Sequence, residues 1–365
     1  MGWAQQWHAL PSFLVGEYLF IALAIVALAH ARSCGRAHVL AWIAALVAGT
    51  ANDLFFMALP LVDNFWQAQA TIMITRRLPL YIPCVYVCFM YLPWVAVRRL
   101  GLPALASAAA TGLLAILFYA PYDIVGAKFL WWTWHDTDQP IANRILGAPI
   151  GSTMWVITFV TAWTGLLDRV VARDPAVAPR TFAKALGLVA LASTPIMMVE
   201  IGLLQQLDGG IPGIRGLVVV LVAHVAVIAQ GWRRRRPARD PPRADRWLRL
   251  ALPLHFAALA SIMAMFDPAT HVSTGVHQTY GPCGVEARDI TGHVRHEYLC
   301  ERDLDEDFDF HCVDALPAAH TDWYTVCGRP HRSFATGMLA VAALGLAGGL
   351  AFAWLLRPPL RSGGR

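Results

Sequence analysis

The sequence predicts an all-α polytopic membrane protein with about nine transmembrane helices. Its amino terminus lies outside, its carboxyl terminus inside, and a small disulfide-bonded extracytoplasmic domain separates helices 8 and 9. Three observations carry this reading. Of 365 residues, 57% are hydrophobic and 15% charged, against roughly 25% charged in a soluble domain. Nine stretches approach the roughly 20 apolar residues that a helix needs to cross a bilayer. Basic residues then gather on alternate connections, as the positive-inside rule requires.

The stretches run, with edges uncertain by a few residues, over 12–30, 38–60, 78–97, 102–120, 148–171, 183–204, 213–232, 247–266 and 334–356. A large soluble core would impose amphipathic periodicity, which they lack. Met1 to Pro11 carries no Lys or Arg, so the basic start of a cleavable signal is missing and the first stretch reads as a permanent helix. Gln6 stands where a myristoylation signal wants Ser or Thr, so no lipid is expected on Gly2.

One set of connections holds Arg32 and Arg36; Arg98 and Arg99; Arg169, Arg173, Arg180 and Lys184; the run Arg233 to Arg236 with Arg239, Arg243, Arg246 and Arg249; and Arg357, Arg361 and Arg365. These are most of the 29 basic residues, and they mark the cytoplasmic face. A basic run of this kind can bind nucleic acid or anionic lipid. At a helix end it reads as a topology determinant against lipid headgroups, and no nucleic-acid partner is expected. The charges suit a bacterial inner membrane and a eukaryotic plasma membrane equally.

Residues 267–333 break this pattern and divide the chain into an eight-helix membrane domain (1–266), an extracytoplasmic domain (267–333), and a ninth helix with a basic tail (334–365). The middle part holds Cys283, Cys300, Cys312 and Cys327. On the oxidising side of a membrane, four cysteines in so short a segment read as two disulfides, with three pairings open. A four-cysteine zinc site would want close Cys-x2-Cys pairs, and none is present. The acidic run Asp303-Leu-Asp-Glu-Asp-Phe-Asp309 lacks the glycine and the final glutamate of an EF-hand loop. The alternation of Phe308, Phe310 and Cys312 with Asp307, Asp309 and His311 predicts instead a half-buried strand with a solvated acidic face. His293 and His296 lack a third ligand in sequence and make a weak metal signal.

Ionisable groups inside spans are costly and point to function by default. Glu17 lies in the first span, Asn52 and Asp53 in the second and Glu200 in the sixth, while Asp123 follows Pro121 where the fourth ends. At about 1.5 Å per residue, all fall in the outer half of the membrane. Glu17, Asp53, Asp123 and Glu200 are therefore the candidate catalytic residues; each could alternatively cap a helix end or bond a neighbouring helix. The outer loop Trp131-Trp-Thr-Trp-His-Asp-Thr-Asp138 adds His135, Asp136 and Asp138. An imidazole and two carboxylates within four residues are candidate ligands for a divalent metal, or an acid and base, although Asp and Thr also favour turns. The tryptophans suit the headgroup layer. His224 and His255 are expected to hydrogen-bond across the bundle, and Cys84 and Cys88 to act as small packing residues.

The string Trp-Trp-Thr-Trp-His-Asp-Thr-Asp, with Ser273-Thr-Gly-Val-His-Gln and Trp323-Tyr-Thr-Val-Cys, resembles an uncharacterised family of multi-pass membrane proteins over most of the chain. More remotely, spans 2–5 resemble the carotenoid hydratase family of bacteria and archaea. There an acidic residue on an early helix precedes an Asp, a Trp-x-Trp and a Gly-x-Pro, matched here by Asp53, Asp123, Trp132-Thr-Trp134 and Gly147-Ala-Pro149. The chain departs by inserting His135 to Asp138 and by adding the cysteine domain, so this resemblance of about 100 residues implies an analogy of fold. Together the residues suggest an outer-leaflet carboxylate and histidine site acting on a lipid or isoprenoid, hydratase-like or hydrolase-like. A cation- or proton-coupled transporter or receptor would use the same carboxylates. A structural protein would bind a protein partner through its outer domain.

Overall fold

The computed structural model describes residues 2–59, 65–134, 138–236, 244–302 and 308–357. After a short amino-terminal helix α1 (Trp3–Ala9), nine helices long and apolar enough to cross a membrane occur among the described residues. They are α2 (Pro11–Cys34), α3 (Arg36–Ala58), α4 (Tyr81–Arg98), α5 (Ala104–Lys128), α6 (Ile150–Arg173), α7 (Pro179–Leu204), α8 (Ile214–Trp232), α9 (Asp245–Met265) and α10 (Phe334–Leu355). The chain is an integral multi-pass membrane protein, and its outward side chains, such as Leu191, Leu203, Val222 and Leu346, are exposed to lipid.

Helix α4 is the hub. It packs against α2, α3 and α5, and from Tyr81 to Val97 almost every side chain is buried. A helix apolar all round belongs in the interior, and α4 combines that with five aromatic residues. Its internal Pro93, like Pro121 in α5, Pro195 in α7 and Pro253 in α9, is of the kind membrane helices tolerate. Aromatic bulk is accommodated by glycine: a Cβ at Gly49 of α3 would come within 2.1 Å of the Tyr86 ring.

The outer end is organised by a turn after α5. Leu130 adopts φ 56, an uncommon left-handed conformation for a residue with a Cβ. The Trp131 amide donates back to the Gly126 carbonyl at 2.9 Å, a six-residue closure of the Schellman kind. The chain reverses, and Trp131 and Trp132 lie back over the helices, where Cβ atoms at Gly16 and Gly126 would fall 2.2 and 1.9 Å from their rings. Strand β1 (Phe65–Gln67) then pairs antiparallel with β2 (Trp132–Trp134), Gln67 opposite Trp132.

The segment between α9 and α10 contains strands, although the one expected from the alternation around Phe308 is limited to Phe308–Asp309 among the described residues, the chain turning over 310–312. Strand β5 (Val272–Val276) pairs antiparallel with β9 (Trp323–Gly328), which also pairs with β8 (Phe308–Asp309); residues 303–307 of the acidic run lie outside the described residues. A hairpin of β6 (Glu286–Arg288) and β7 (Val294–His296) lies beside them; the two-residue strands β3 (Arg144–Ile145) and β4 (Ala148–Pro149) precede α6. Cys283 is bonded to Cys300 and Cys312 to Cys327. Sequence leaves three pairings open, and this one joins neighbours along the chain. Cys34, Cys84 and Cys88 are free thiols.

This cap is fastened to the bundle by a buried chain of hydrogen bonds. Trp131 Nε1 donates to Ser12 Oγ at 3.0 Å, and Ser12 Oγ meets His271 Nε2 at 2.7 Å. His271 Nδ1 meets the Asp267 carbonyl at 2.9 Å. An Nδ1–H tautomer satisfies every contact: it donates to the carbonyl and leaves Nε2 to accept from the hydroxyl. Burial holds His271 down to about 4, against the weaker upward pull of the Asp267 carbonyl and carboxylate. Burial likewise pushes His277 down to about 3. Both are neutral in the folded cap and take up protons on unfolding below their ordinary value near 6.5. Their stabilisation is whole above about pH 6.5 and is lost as pH falls towards 4, at about 1.4 kcal/mol per pH unit for each. Hydrogen exchange of β5 and β9, corrected for intrinsic rates, should accelerate between pH 7.5 and 5. Equal protection at both values would show that neither histidine limits cap stability.

Candidate functional site

Beneath the cap, at the outer ends of α3, α4, α5 and α6, lies a cavity of about 280 Å³. Its walls are mostly aromatic: Tyr86 and Phe89 from α4, Tyr119 and Tyr122 from α5, Trp132 from β2 and Trp155 from α6. The rings brace one another, Tyr86 and Trp155 edge to face with centroids 5.7 Å apart and Tyr122 and Trp132 tilted with centroids 4.7 Å apart. Such contacts add about 0.5–1.5 kcal/mol each beyond burial.

Two polar arrays break the aromatic wall. In the first, Thr194 on α7 donates to Asn52 Oδ1 at 3.0 Å and Asn52 Nδ2 donates to the Tyr86 hydroxyl at 3.1 Å. Tyr86 in turn donates to Asp53. Three helices thereby fix one carboxylate as an acceptor at the cavity wall. In the second, Ser152 lines the cavity and donates to Asp123 Oδ2 at 2.8 Å. Asp123 stands behind it, 2% exposed, and no described residue donates to its Oδ1. Gln67 Oε1, in the same wall, also receives no hydrogen bond from a described residue. A buried acceptor left unmatched costs about 1–3 kcal/mol, so both atoms are suited to meet a donor brought by a ligand or by water.

The cap supplies one further wall residue, Arg295. Its Nε donates to Asp289 at 2.9 Å and its Nη1 lies 3.4 Å from Asp138 Oδ2. Burial pushes Asp289 up, but bonds from Thr291 and Arg295 and the Arg295 charge outweigh it, so its carboxyl sits below the usual range. The guanidinium is thus matched by carboxylates and closes the cavity as a structural cation.

The candidate residues separate accordingly. Asp53 is in the cavity wall and Asp123 one hydroxyl behind it. Glu17 is elsewhere, fully buried, and clamps the loop before α4: it accepts from the Thr71 amide at 3.1 Å, the Thr71 hydroxyl at 2.8 Å and the Ile72 amide at 3.1 Å. Glu200 is half-buried on α7 and does not line the cavity. His135 and Asp136 lie outside the described residues. Asp138 is fully buried and accepts from the His296 amide at 2.8 Å as well as facing Arg295; it joins the loop to the cap.

His224 bonds across the bundle to Thr161 at 3.0 Å, as expected. His255 does not. Neither ring nitrogen has a partner among the described residues, and the imidazole stacks on Phe118 at 4.8 Å with Phe20 at its edge. It packs as an aromatic ring. Asp309, His311 and Cys327 also approach one another closely enough to suggest a metal site, but the sulfur of Cys327 is committed to a disulfide.

Tyr86, Ser152, Trp155 and Arg295 were not singled out by sequence. The one available signal was Ser152, three residues after Pro149 in the Gly-x-Pro segment. Tyr86 is one more aromatic residue in an aromatic helix, and it stands 33 residues from the carboxylate it orients.

The chain matches, over residues 3–350, the family model described as a domain of unknown function (DUF7802), and it belongs to that family. Neither a curated protein nor a solved structure matches it, so the resemblance to carotenoid hydratases rests on the quoted residues alone.

The clamp role of Glu17 has a measurable consequence. Glu17→Gln replaces an acceptor oxygen by an amide donor facing N–H groups, and bonds to a charged group contribute about 1.5–3 kcal/mol. Thermal unfolding in detergent should shift downward by several degrees. An unchanged midpoint would mean that the clamp does not hold the loop.

Proposed function

We propose that this DUF7802 member is a membrane enzyme that adds water across a carbon–carbon double bond of an isoprenoid or related lipid entering from the outer leaflet. The observation that carries the reading is the coincidence, in one aromatic cavity at the outer ends of the helices, of a held carboxylate and a serine-bridged carboxyl. Asp53, Trp132 and Pro149 line that cavity and Asp123 stands behind Ser152; the nearness of these four residues, among those quoted for the hydratase resemblance, supports the reading. An apolar cavity with a few convergent polar groups is the ordinary form of a small-molecule site.

The chemistry follows from the wall. Hydration places a proton on one alkene carbon and a hydroxyl on the other. The Asp123–Ser152 pair delivers the proton: with Asp123 in its acid form, the Ser152 hydroxyl turns from the carboxyl to the substrate, passes on its hydrogen and takes the carboxyl hydrogen in its place. The carbocation that forms is stabilised by ring faces such as those of Tyr119, Tyr122 and Trp155, at about 0.5–2 kcal/mol for each well-placed ring. Asp53, fixed by Tyr86, takes a proton from the attacking water, and solvent restores the starting protonation of both carboxyls. A positioned acid or base contributes roughly 10²–10⁴ in rate.

The test is turnover of a panel of isoprenoid polyenes in mixed micelles with ¹⁸O-labelled water. Wild-type protein should yield a tertiary alcohol carrying the label, and Asp53→Asn should reduce its formation by about 10²-fold or more while assembly and melting are retained. Label-free wild-type reactions across the panel, or full activity in Asp53→Asn, would remove this assignment.

A further inference from the structure

At the opposite end of the bundle a second polar cluster is built where α2 turns into α3. Gly35, at φ 102, makes the turn between Cys34 and Arg36. It brings His30, Cys34 and His38, spaced four residues apart, to one place. The ligand atoms of the three residues all lie within 4.8 Å of one another. His30 is fully buried, and Cys34 and His38 are half-buried.

The orientation of the rings is set from α4. The Tyr91 hydroxyl meets Nδ1 of His30 at 2.8 Å and Nδ1 of His38 at 3.1 Å. A phenolic oxygen has two acceptor lone pairs and can take an N–H from each ring. In that tautomer each ring keeps a lone pair on Nε2, the form that a cation would bind. A hydrogen-bonded partner on the far nitrogen is the usual way a metal-binding histidine is held. The thiol lies on the Nε2 side of His30, with Sγ 3.5 Å from Nε2 and 4.0 Å from Nδ1. Zn–S near 2.3 Å and Zn–N near 2.0 Å in a tetrahedron separate sulfur from nitrogen by about 3.5 Å.

In the present arrangement His30 Nε2–H donates to Asp245 Oδ1 at 3.0 Å and its Nδ1 accepts from the Tyr91 hydroxyl, so the ring proton moves to Nδ1 when a cation takes Nε2. Asp245 also receives a two-pronged bond from Arg99, at 2.9 Å to each oxygen. His30 can therefore exchange Asp245 for a cation without leaving a buried charge unmatched. Arg98, the other nearby cation, is paired with Asp168 at 3.1 Å. The charge pattern places this end in the cytoplasm, where a thiol stays reduced.

We propose that His30, Cys34 and His38 bind a divalent, borderline-soft cation of the zinc type at the cytoplasmic face, with water in the fourth position. One thiolate and two imidazoles suit such an ion. Binding displaces the Cys34 thiol proton to solvent. None of these residues belongs to the outer cavity, so the site stands or falls independently of the hydration chemistry.

Cobalt(II), a spectroscopic substitute for zinc, is the probe, titrated into the reduced full-length protein in detergent. One equivalent should bind with a sulfur-to-cobalt charge-transfer band that is absent from Cys34→Ala and intact in Cys84→Ala. Tyr91→Phe keeps all three ligands and should weaken binding by roughly 10–100-fold. If Cys34→Ala does not assemble, the wild-type protein still decides the matter: saturating Zn²⁺ should slow maleimide alkylation of Cys34 by about tenfold or more. A band that survives Cys34→Ala, or alkylation of Cys34 at an unchanged rate in Zn²⁺, shows that the cluster is a hydrogen-bonded network and overturns the assignment.

Discussion

In the hydrocarbon core a polar group has no water to turn to, so a buried donor or acceptor gains most from a partner within the protein. Much of the described structure follows from that constraint. Its intramembrane polar side chains gather into arrays near the two ends of the bundle, and each array joins several helices. At the outer end Ser12 links α2, the Trp131 turn and the cap, Glu17 clamps the loop before α4, and Asn52 links α3, α4 and α7. At the inner end Asp245 on α9 collects Arg99, just past α4, and His30 of α2, while Asp168 on α6 collects Trp94 and Arg98 of α4. Between the arrays, hydroxyls such as Thr111 and Thr158 bond back to the carbonyl one turn earlier, which satisfies them without a partner helix.

The same constraint explains why the cavity is aromatic. Without a hydrophobic force between helices, association rests on close packing, and small residues let large ones approach. Glycines at 16, 49 and 126 take the faces of Trp131, Tyr86 and Trp132. Rings held so firmly cannot collapse into the space they enclose. The carboxylates at its edge are oriented by hydroxyl and amide partners, as a site requires when it must meet a ligand in fixed geometry.

What the sequence makes legible are properties summed over many residues. Hydropathy marks the spans, and alternating charge marks their sides; both need only composition and length. The segment of four cysteines is equally plain, because redox chemistry and spacing decide it. Pairwise geometry is not legible. Asp245 reads as a minor acid among basic residues, yet it meets a histidine 215 positions away. Glu17 and Asp53 look alike in sequence, each a lone carboxylate in an apolar run. One is consumed by backbone amides of a loop, and the other is presented to a cavity. The difference lies in which segment crosses above each helix, and no local pattern encodes that.

The two ends share their helices. Helix α3 carries His38 at one end and Asn52 and Asp53 at the other, about 22 Å apart at 1.5 Å per residue. Helix α4 carries Tyr91 and Tyr86, which orient the groups at the two ends in the same way, by a hydroxyl reaching a neighbouring helix. At the inner end the chain turns at Gly35, φ 102, where an added Cβ would meet no atom within 4 Å, so the left-handed backbone and not crowding calls for glycine there.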